Sequence, residues 1–85
     1  MNSRVEQISR FIDAAQRLGL HESDAHNAKD LLLHNEHGLA FDTIITQLHE
    51  HEIEIDRAFF RLAQDIAQTI GVSENAYSFI KELIR

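Results

Sequence analysis

The chain has 85 residues, no cysteine and a formal net charge of −6, from fourteen acidic and eight basic side chains. This length predicts one domain, residues 1–85, with a single core. The absence of cysteine excludes disulfides and thiolate metal sites. No apolar run approaches the ~20 residues that span a bilayer, and the amino-terminal stretch lacks the apolar region of a secretory signal. We therefore expect a cytoplasmic protein with no membrane partner.

Helix-forming residues dominate, and apolar residues recur at helical spacing along the chain. The sequence thus predicts an all-α fold, a compact bundle of four to five short helices. In the first helix, Phe11 lies beside an apolar stripe made of Val5, Ile8, Ile12, Ala15 and Leu18. Gly19 followed by Leu20 is typical of a helix stop in which the glycine takes the left-handed conformation.

The second helix is expected to be capped by Ser23 or Asp24 and to bury Ala25, Ala28, Leu31 and Leu32. It should end between residues 34 and 38, where Asn35 either closes it or caps the next helix. One long helix bent at Gly38 is the alternative, because a lone glycine costs only ~1 kcal/mol relative to alanine. The third helix carries an i, i+3, i+4, i+7 set formed by Phe41, Ile44, Ile45 and Leu48.

Residues 51–56 alternate between polar and apolar side chains. This pattern predicts an extended linker that points Ile53 and Ile55 inward and, as a lone short segment, finds no strand partner. Asp56 is a favourable N-cap for a fourth helix. That helix should bury Phe59, Phe60, Ala63, Ile66, Ala67 and Ile70.

Gly71 followed by Val72 repeats the glycine stop of the first helix. Ser73 is then expected to cap a final α-helix, with Tyr77 at the margin of its buried face. That face would consist of Ala76, Phe79, Ile80, Leu83 and Ile84.

Six histidines raise the question of a metal site. His34 with His37, and His49 with Glu52, are i, i+3 pairs that share a helix face. A zinc site needs three or four converging ligands, and no HExxH motif is present. We expect neither a metal nor a cofactor, with the histidines solvated or capping helix ends.

The sequence does not predict an enzyme. There is no cysteine nucleophile, the serines fall mainly at caps or on polar faces, and no glycine-rich phosphate loop occurs. Direct nucleic-acid binding is also disfavoured, because the net charge is negative and the basic residues are scattered along the chain. No lysine or arginine lies between residues 34 and 56, so the third helix does not fit a DNA recognition helix.

The candidate binding residues are acidic. Four carboxylates fall within seven residues, and two more lie upstream: Glu50, Glu52, Glu54 and Asp56, preceded by Glu36 and Asp42. Such a cluster presents negative charge to arginine and lysine side chains of a partner. Its alternative interpretation is a solvated surface that maintains solubility. Glu36 has a further alternative as a cap of the third helix.

The run NEHGLAFDTIITQLHEHEIEID followed by FFRLAQDIAQTIGV resembles small immunity proteins of bacterial polymorphic toxin and contact-dependent inhibition systems, closest to MafI-like members. The resemblance spans roughly residues 31–72. The residues that carry it are Glu36, Gly38, Ala40, Asp42, Leu48, Glu50, Ile53, Ile55 and Gly71. It implies a protein that binds and neutralises a cognate toxin domain, often a nuclease with a basic cleft.

Two classes of function stay open at this point. One is an immunity protein that acts through its acidic surface on a basic toxin domain. The other is a small helical adaptor or self-associating module without a toxin partner. The sequence leaves the oligomeric state open.

Overall fold

The computed structural model describes residues 3–85, which fold into four α-helices and two short 3₁₀ helices. The α-helices are α1 (Ser3–Leu18), α2 (Glu22–Leu33), α3 (His37–Glu50) and α4 (Arg57–Ile70). The two 3₁₀ helices are Glu74–Ala76 and Ser78–Leu83. The fold is the all-α bundle of short helices that the sequence predicts.

Helix α1 is the central element, because it packs against each of the other three α-helices. Phe11 of α1 is fully buried and stacks on two rings, Phe41 of α3 at 5.4 Å and Phe59 of α4 at 4.8 Å between ring centroids. The prediction that Phe11 lies beside the buried stripe was therefore wrong. Phe11 faces Phe41 and Phe59, which lie on two neighbouring helices, and it therefore lies in the middle of the core.

All four α-helices end in the same kind of turn. In each, a backbone N–H donates to the carbonyl five residues earlier, the bond of a Schellman motif. The four N···O distances are 3.0 Å for Leu20 to Ala15, 2.9 Å for Glu36 to Leu31, 3.0 Å for Ile53 to Leu48 and 2.8 Å for Val72 to Ala67. The predicted stops at Gly19 and Gly71 are confirmed, since both glycines take a positive φ.

The boundary between α2 and α3 is also settled by such a turn. Asn35 has φ 61° and lies outside both helices, so it closes α2, and one long helix bent at Gly38 is excluded. The start of α2 differs from the prediction: the helix begins at Glu22, with His21 at the N-cap position. Ser23 and Asp24 therefore lie inside the first turn and do not cap it.

The final segment is not an α-helix, which corrects the prediction made for it. Ser73 makes no capping hydrogen bond through its side chain, and the chain winds as 3₁₀ helix instead. A 3₁₀ helix has three residues per turn, so residues three apart share a face. Tyr77, Ile80 and Leu83 are accordingly buried, whereas Phe79 is exposed.

Candidate functional site

The acidic segment (residues 50–56) connects the end of α3 to the start of α4. Its apolar side chains turn inward as predicted: Ile55 is buried and Ile53 packs against the core. Its acidic side chains, Glu50, Glu52, Glu54 and Asp56, are all exposed. The alternation therefore gives the segment an apolar face that packs on the core and a charged face that is exposed to solvent.

The segment does find a backbone partner, contrary to the sequence prediction, although only through an isolated β-bridge. Ile55 forms a parallel β-bridge with Ile84 at the end of the chain. The N–H of Ile55 donates to the carbonyl of Leu83, and the N–H of Arg85 donates to the carbonyl of Ile55, both at 3.0 Å. Ile55 and Ile84 are 29 positions apart in the sequence, and the bridge between them fixes the middle of the acidic segment.

Glu52 occupies the left-handed position of the turn that ends α3, with φ 50°. The corresponding positions of the other three helices hold Gly19, Asn35 and Gly71, the residue types that tolerate this conformation. A residue with a Cβ and a long side chain is disfavoured there by roughly 1 kcal/mol or more. Glu52 is the exception to the pattern among the four helices.

The electric field at the end of α3 also disfavours the negative charges of Glu50 and Glu52. The carboxyl end of a helix carries partial negative charge, which is complemented by cations and opposed by anions. Glu50 is the last residue of α3, and Glu52 follows two residues later. Neither side chain forms an ion pair or side-chain hydrogen bond among the described residues. Both carboxylates therefore face solvent without local compensation.

Two side-chain contacts join the acidic segment and α3 to the carboxyl-terminal segment, residues 74–85. Arg85 Nε lies 3.6 Å from a carboxylate oxygen of Glu54, and His49 Nε2 lies 2.8 Å from one of Glu82. Both pairs are well exposed, so each contributes little to stability. Glu52, Glu54, Glu82, Leu83 and Arg85 together line an acidic depression of about 340 Å³. Three carboxylates there face one guanidinium.

Glu82 is a member of this site that the sequence did not reveal. Its position depends on the bridge between Ile55 and Ile84, which brings the end of the chain beside the acidic segment. No local pattern around Glu82 carries that information, because the contact joins segments about thirty residues apart.

Asp56 has a structural role in addition to its charge. Its Oδ1 accepts a hydrogen bond from the backbone N–H of Phe59 at 2.7 Å, so it is the N-cap of α4, as the sequence predicts. This bond fixes the second end of the acidic segment. The turn at Glu52 and the bridge at Ile55 fix the rest, and the carboxylates are held on an ordered backbone.

The two upstream acids are not brought into the same cluster. Glu36 is at the N-cap position of α3, exposed and without a capping hydrogen bond from its side chain. It is separated from Glu50 by the full length of this 14-residue helix, about 21 Å at 1.5 Å per residue. Asp42 is exposed and lies between them along the helix. The six predicted residues therefore do not form one cluster. Glu52 and Glu54 line the acidic depression, whereas Asp56 lines a separate depression with Arg17.

The histidines make individual contacts. His34 Nδ1 lies 2.8 Å from the carbonyl of Asp30, and His51 Nε2 lies 3.1 Å from the side-chain oxygen of Gln47. Within residues 3–85, no group of three or more histidine, aspartate or glutamate side chains is placed to hold a metal ion.

A different surface feature flanks the turn between α2 and α3. Leu33 at the end of α2 is 81% exposed, and Leu39 in the first turn of α3 is 53% exposed. Exposed apolar side chains are typical of a contact surface where they form one contiguous patch.

Comparisons of the chain with protein-family models, with curated proteins and with solved structures give no match. The resemblance to MafI-like immunity proteins therefore stays a prediction from the sequence. Among the described residues, no helix is both long enough and apolar enough to cross a bilayer.

Proposed function

We propose that this protein is an immunity protein, which binds and neutralises a basic toxin domain through the acidic segment. The proposal rests mainly on the backbone conformation and the location of Glu52. This carboxylate occupies a left-handed backbone position and the negative end of a helix, although the three equivalent turns use Gly or Asn. Residues kept in conformations that cost stability are typical of binding sites and active sites.

The ordered backbone of the segment supports the same proposal. A binding surface that is already fixed loses less conformational entropy when its partner docks, which favours affinity. Here the chain is held at Glu52 by the turn, at Ile55 by two backbone hydrogen bonds and at Asp56 by the helix cap. The acidic side chains therefore project from a backbone that is already ordered.

The chemistry of the partner follows from the charge. Exposed carboxylates on a chain of net charge −6 accept charge-assisted hydrogen bonds from arginine and lysine and attract basic proteins from a distance. A nuclease toxin with a basic cleft, the partner that the sequence resemblance implies, has this character. Its arginines would compete with Arg85 for Glu54.

The proposal predicts that a gene next to the one for this chain encodes a basic toxic domain, and the experiment that tests the proposal uses that domain. We expect co-expression of the wild-type protein to protect cells from that domain. The double charge reversal Glu52→Lys and Glu54→Lys should remove protection and weaken binding at least tenfold, since each close charge pair in an interface contributes about 1.5 kcal/mol or more. The folded state should survive, because cations are favourable at the carboxyl end of α3.

A matched control is the double reversal Asp30→Lys and Asp65→Lys, which changes the net charge equally. Both aspartates are exposed, and their side chains form no ion pair or hydrogen bond among the described residues. This variant should keep binding within about threefold at physiological salt, where screening acts over ~8 Å. Equal losses in both variants would mean that net charge, and not the acidic segment, governs binding. Protection by both would remove the segment from the site.

Exposed Leu33 and Leu39 favour the second candidate, a module that self-associates through the turn between α2 and α3. Analytical ultracentrifugation distinguishes the two candidates. A concentration-dependent dimer that Leu33→Gln with Leu39→Gln dissociates would support self-association. A monomer at all concentrations, with toxin binding intact, would exclude it.

A further inference from the structure

Three basic side chains converge on one depression of the surface, although they are scattered along the sequence. The basic pocket, about 240 Å³ in volume, lies where the first two turns of α4 meet the carboxyl-terminal segment. Its lining comprises Arg57, Arg61 and Lys81 together with Phe60, Gln64 and Ile84. These three residues meet because the end of the chain packs beside α4.

The three cations have no partners within the described part of the chain. Elsewhere Arg10, Lys29 and Arg85 each pair with a carboxylate. Arg57, Arg61 and Lys81 form neither an ion pair nor a side-chain hydrogen bond among residues 3–85. In a protein with nearly twice as many acidic as basic side chains, unpaired cations gathered at one place are unexpected.

The arrangement is also locally unfavourable. Arg57 and Arg61 are an i, i+4 pair on one helix, where like charges repel. Arg57 is the first residue of α4, at the end where a helix carries partial positive charge. An anion bound in the pocket would relieve both effects, and it would face two guanidinium groups and one ammonium group together.

We propose that the basic pocket binds the phosphoryl group of a small phosphate monoester. Guanidinium groups match the geometry of phosphate oxygens with paired N–H donors, and lysine adds a compact charge. A phosphate monoester carries close to two negative charges near neutral pH, which suits three cations better than a single carboxylate does. Gln64, which also lines the pocket, supplies a further amide donor.

The remaining lining residues limit the organic part of the ligand. Phe60 and Ile84 are half-buried and offer apolar surface beside the cations. The volume of about 240 Å³ is below the usual range of roughly 300–1,000 Å³ for sites that enclose drug-sized molecules. The pocket therefore fits a phosphoryl group with a small apolar substituent. It does not include the acidic segment, so this inference is independent of the proposed function.

Phenyl phosphate is a suitable probe, titrated at constant ionic strength and followed by ¹H–¹⁵N NMR. We expect saturable shifts of the Arg57, Arg61 and Lys81 signals, and about tenfold weaker binding by the Arg61→Gln variant. The control is Arg17→Gln, which removes the same charge. Arg17 is exposed, has no ion-pair partner among the described residues and lines a separate depression. The control should bind like the wild type.

Folding does not confound the comparison, because removing Arg61 also removes a like-charge repulsion. The melting temperature of Arg61→Gln should equal or exceed that of the wild type. Two further probes separate the parts of the inference. Benzoate, with one charge, should bind much more weakly than phenyl phosphate, and inorganic phosphate should bind several-fold more weakly.

Equal affinity for benzoate would overturn the assignment to a phosphoryl group. Equal affinity for inorganic phosphate would overturn the role of Phe60 and Ile84. If Arg17→Gln weakened binding as much as Arg61→Gln, or if the shifts were spread over the whole surface, phenyl phosphate would be responding to net charge and the site would be refuted.

Discussion

Substitution of Glu52 by glycine is expected to stabilise the fold and, at the same time, to weaken binding of the partner. Glu52 has φ 50° in the turn that ends α3. Glycine relieves the strain of the left-handed conformation but loses more backbone entropy on folding. The net gain in the free energy of unfolding is about 1 kcal/mol. Removal of a negative charge from the carboxyl end of the helix adds about 0.5 kcal/mol. The free energy of unfolding should therefore rise by about 1.5 kcal/mol.

Thermal unfolding followed by circular dichroism measures this change. For a domain of this size, 1 kcal/mol shifts the Tm by about 4–8 °C, so Glu52→Gly should raise it by about 8 °C. Glu52→Gln is the control, because it removes the charge and keeps the strained backbone; its Tm should rise by only about 3 °C. Equal rises in the two variants would refute the argument from backbone strain. A fall in the Tm of Glu52→Gly would refute the assigned turn.

Gly71→Ala should lower the free energy of unfolding by about 1 kcal/mol, since φ is 78° there although no atom lies within 4 Å of an added Cβ; an unchanged urea midpoint would contradict this. Phe11→Ala should remove about 3–5 kcal/mol, because its fully buried ring stacks on Phe41 and Phe59. A loss below 1 kcal/mol in urea unfolding would show that the core does not depend on it. Asp56→Ala should lower the free energy of unfolding by about 1 kcal/mol, whereas Asp56→Asn should leave it almost unchanged. Calorimetry measures both values, and equal losses in the two variants would argue against a capping role.

The proposed function implies a conflict between stability and binding at Glu52. Stabilising changes at functional positions commonly reduce function, because those positions are optimised for the partner. Glu52 is the position in this fold where that conflict is easiest to measure. A Glu52→Gly variant that melts higher and binds the toxin less tightly would connect the backbone strain to recognition.

Much of the fold could be predicted from local sequence. The four helices follow from apolar residues at a spacing near 3.6, and Gly19 and Gly71 mark two of the stops because glycine tolerates a positive φ. Asp56 was recognised as a cap because its carboxylate reaches a backbone N–H three residues later. These signals involve neighbours within one or two turns, which is why a sequence pattern contains them.

The carboxyl-terminal segment marks the limit of such patterns. Its apolar spacing fits an α-helix as well as a 3₁₀ helix, and a segment this short is not stable as an isolated helix. Packing decides between the two, and it buries Tyr77, Ile80 and Leu83 at intervals of three. The turn at Glu52 was missed for a related reason, because glutamate is not a residue type that indicates a left-handed position.

The sequence by itself determined the helices, most of their ends and the outward direction of the four clustered acids. The tertiary structure alone decided which charges meet. Glu82 and Arg85 join the acidic segment only through the bridge between Ile55 and Ile84, and Lys81 meets Arg57 only because the same segment packs beside α4. Local bonding fixes a helix from its own residues, whereas the grouping of distant side chains depends on how the whole core packs.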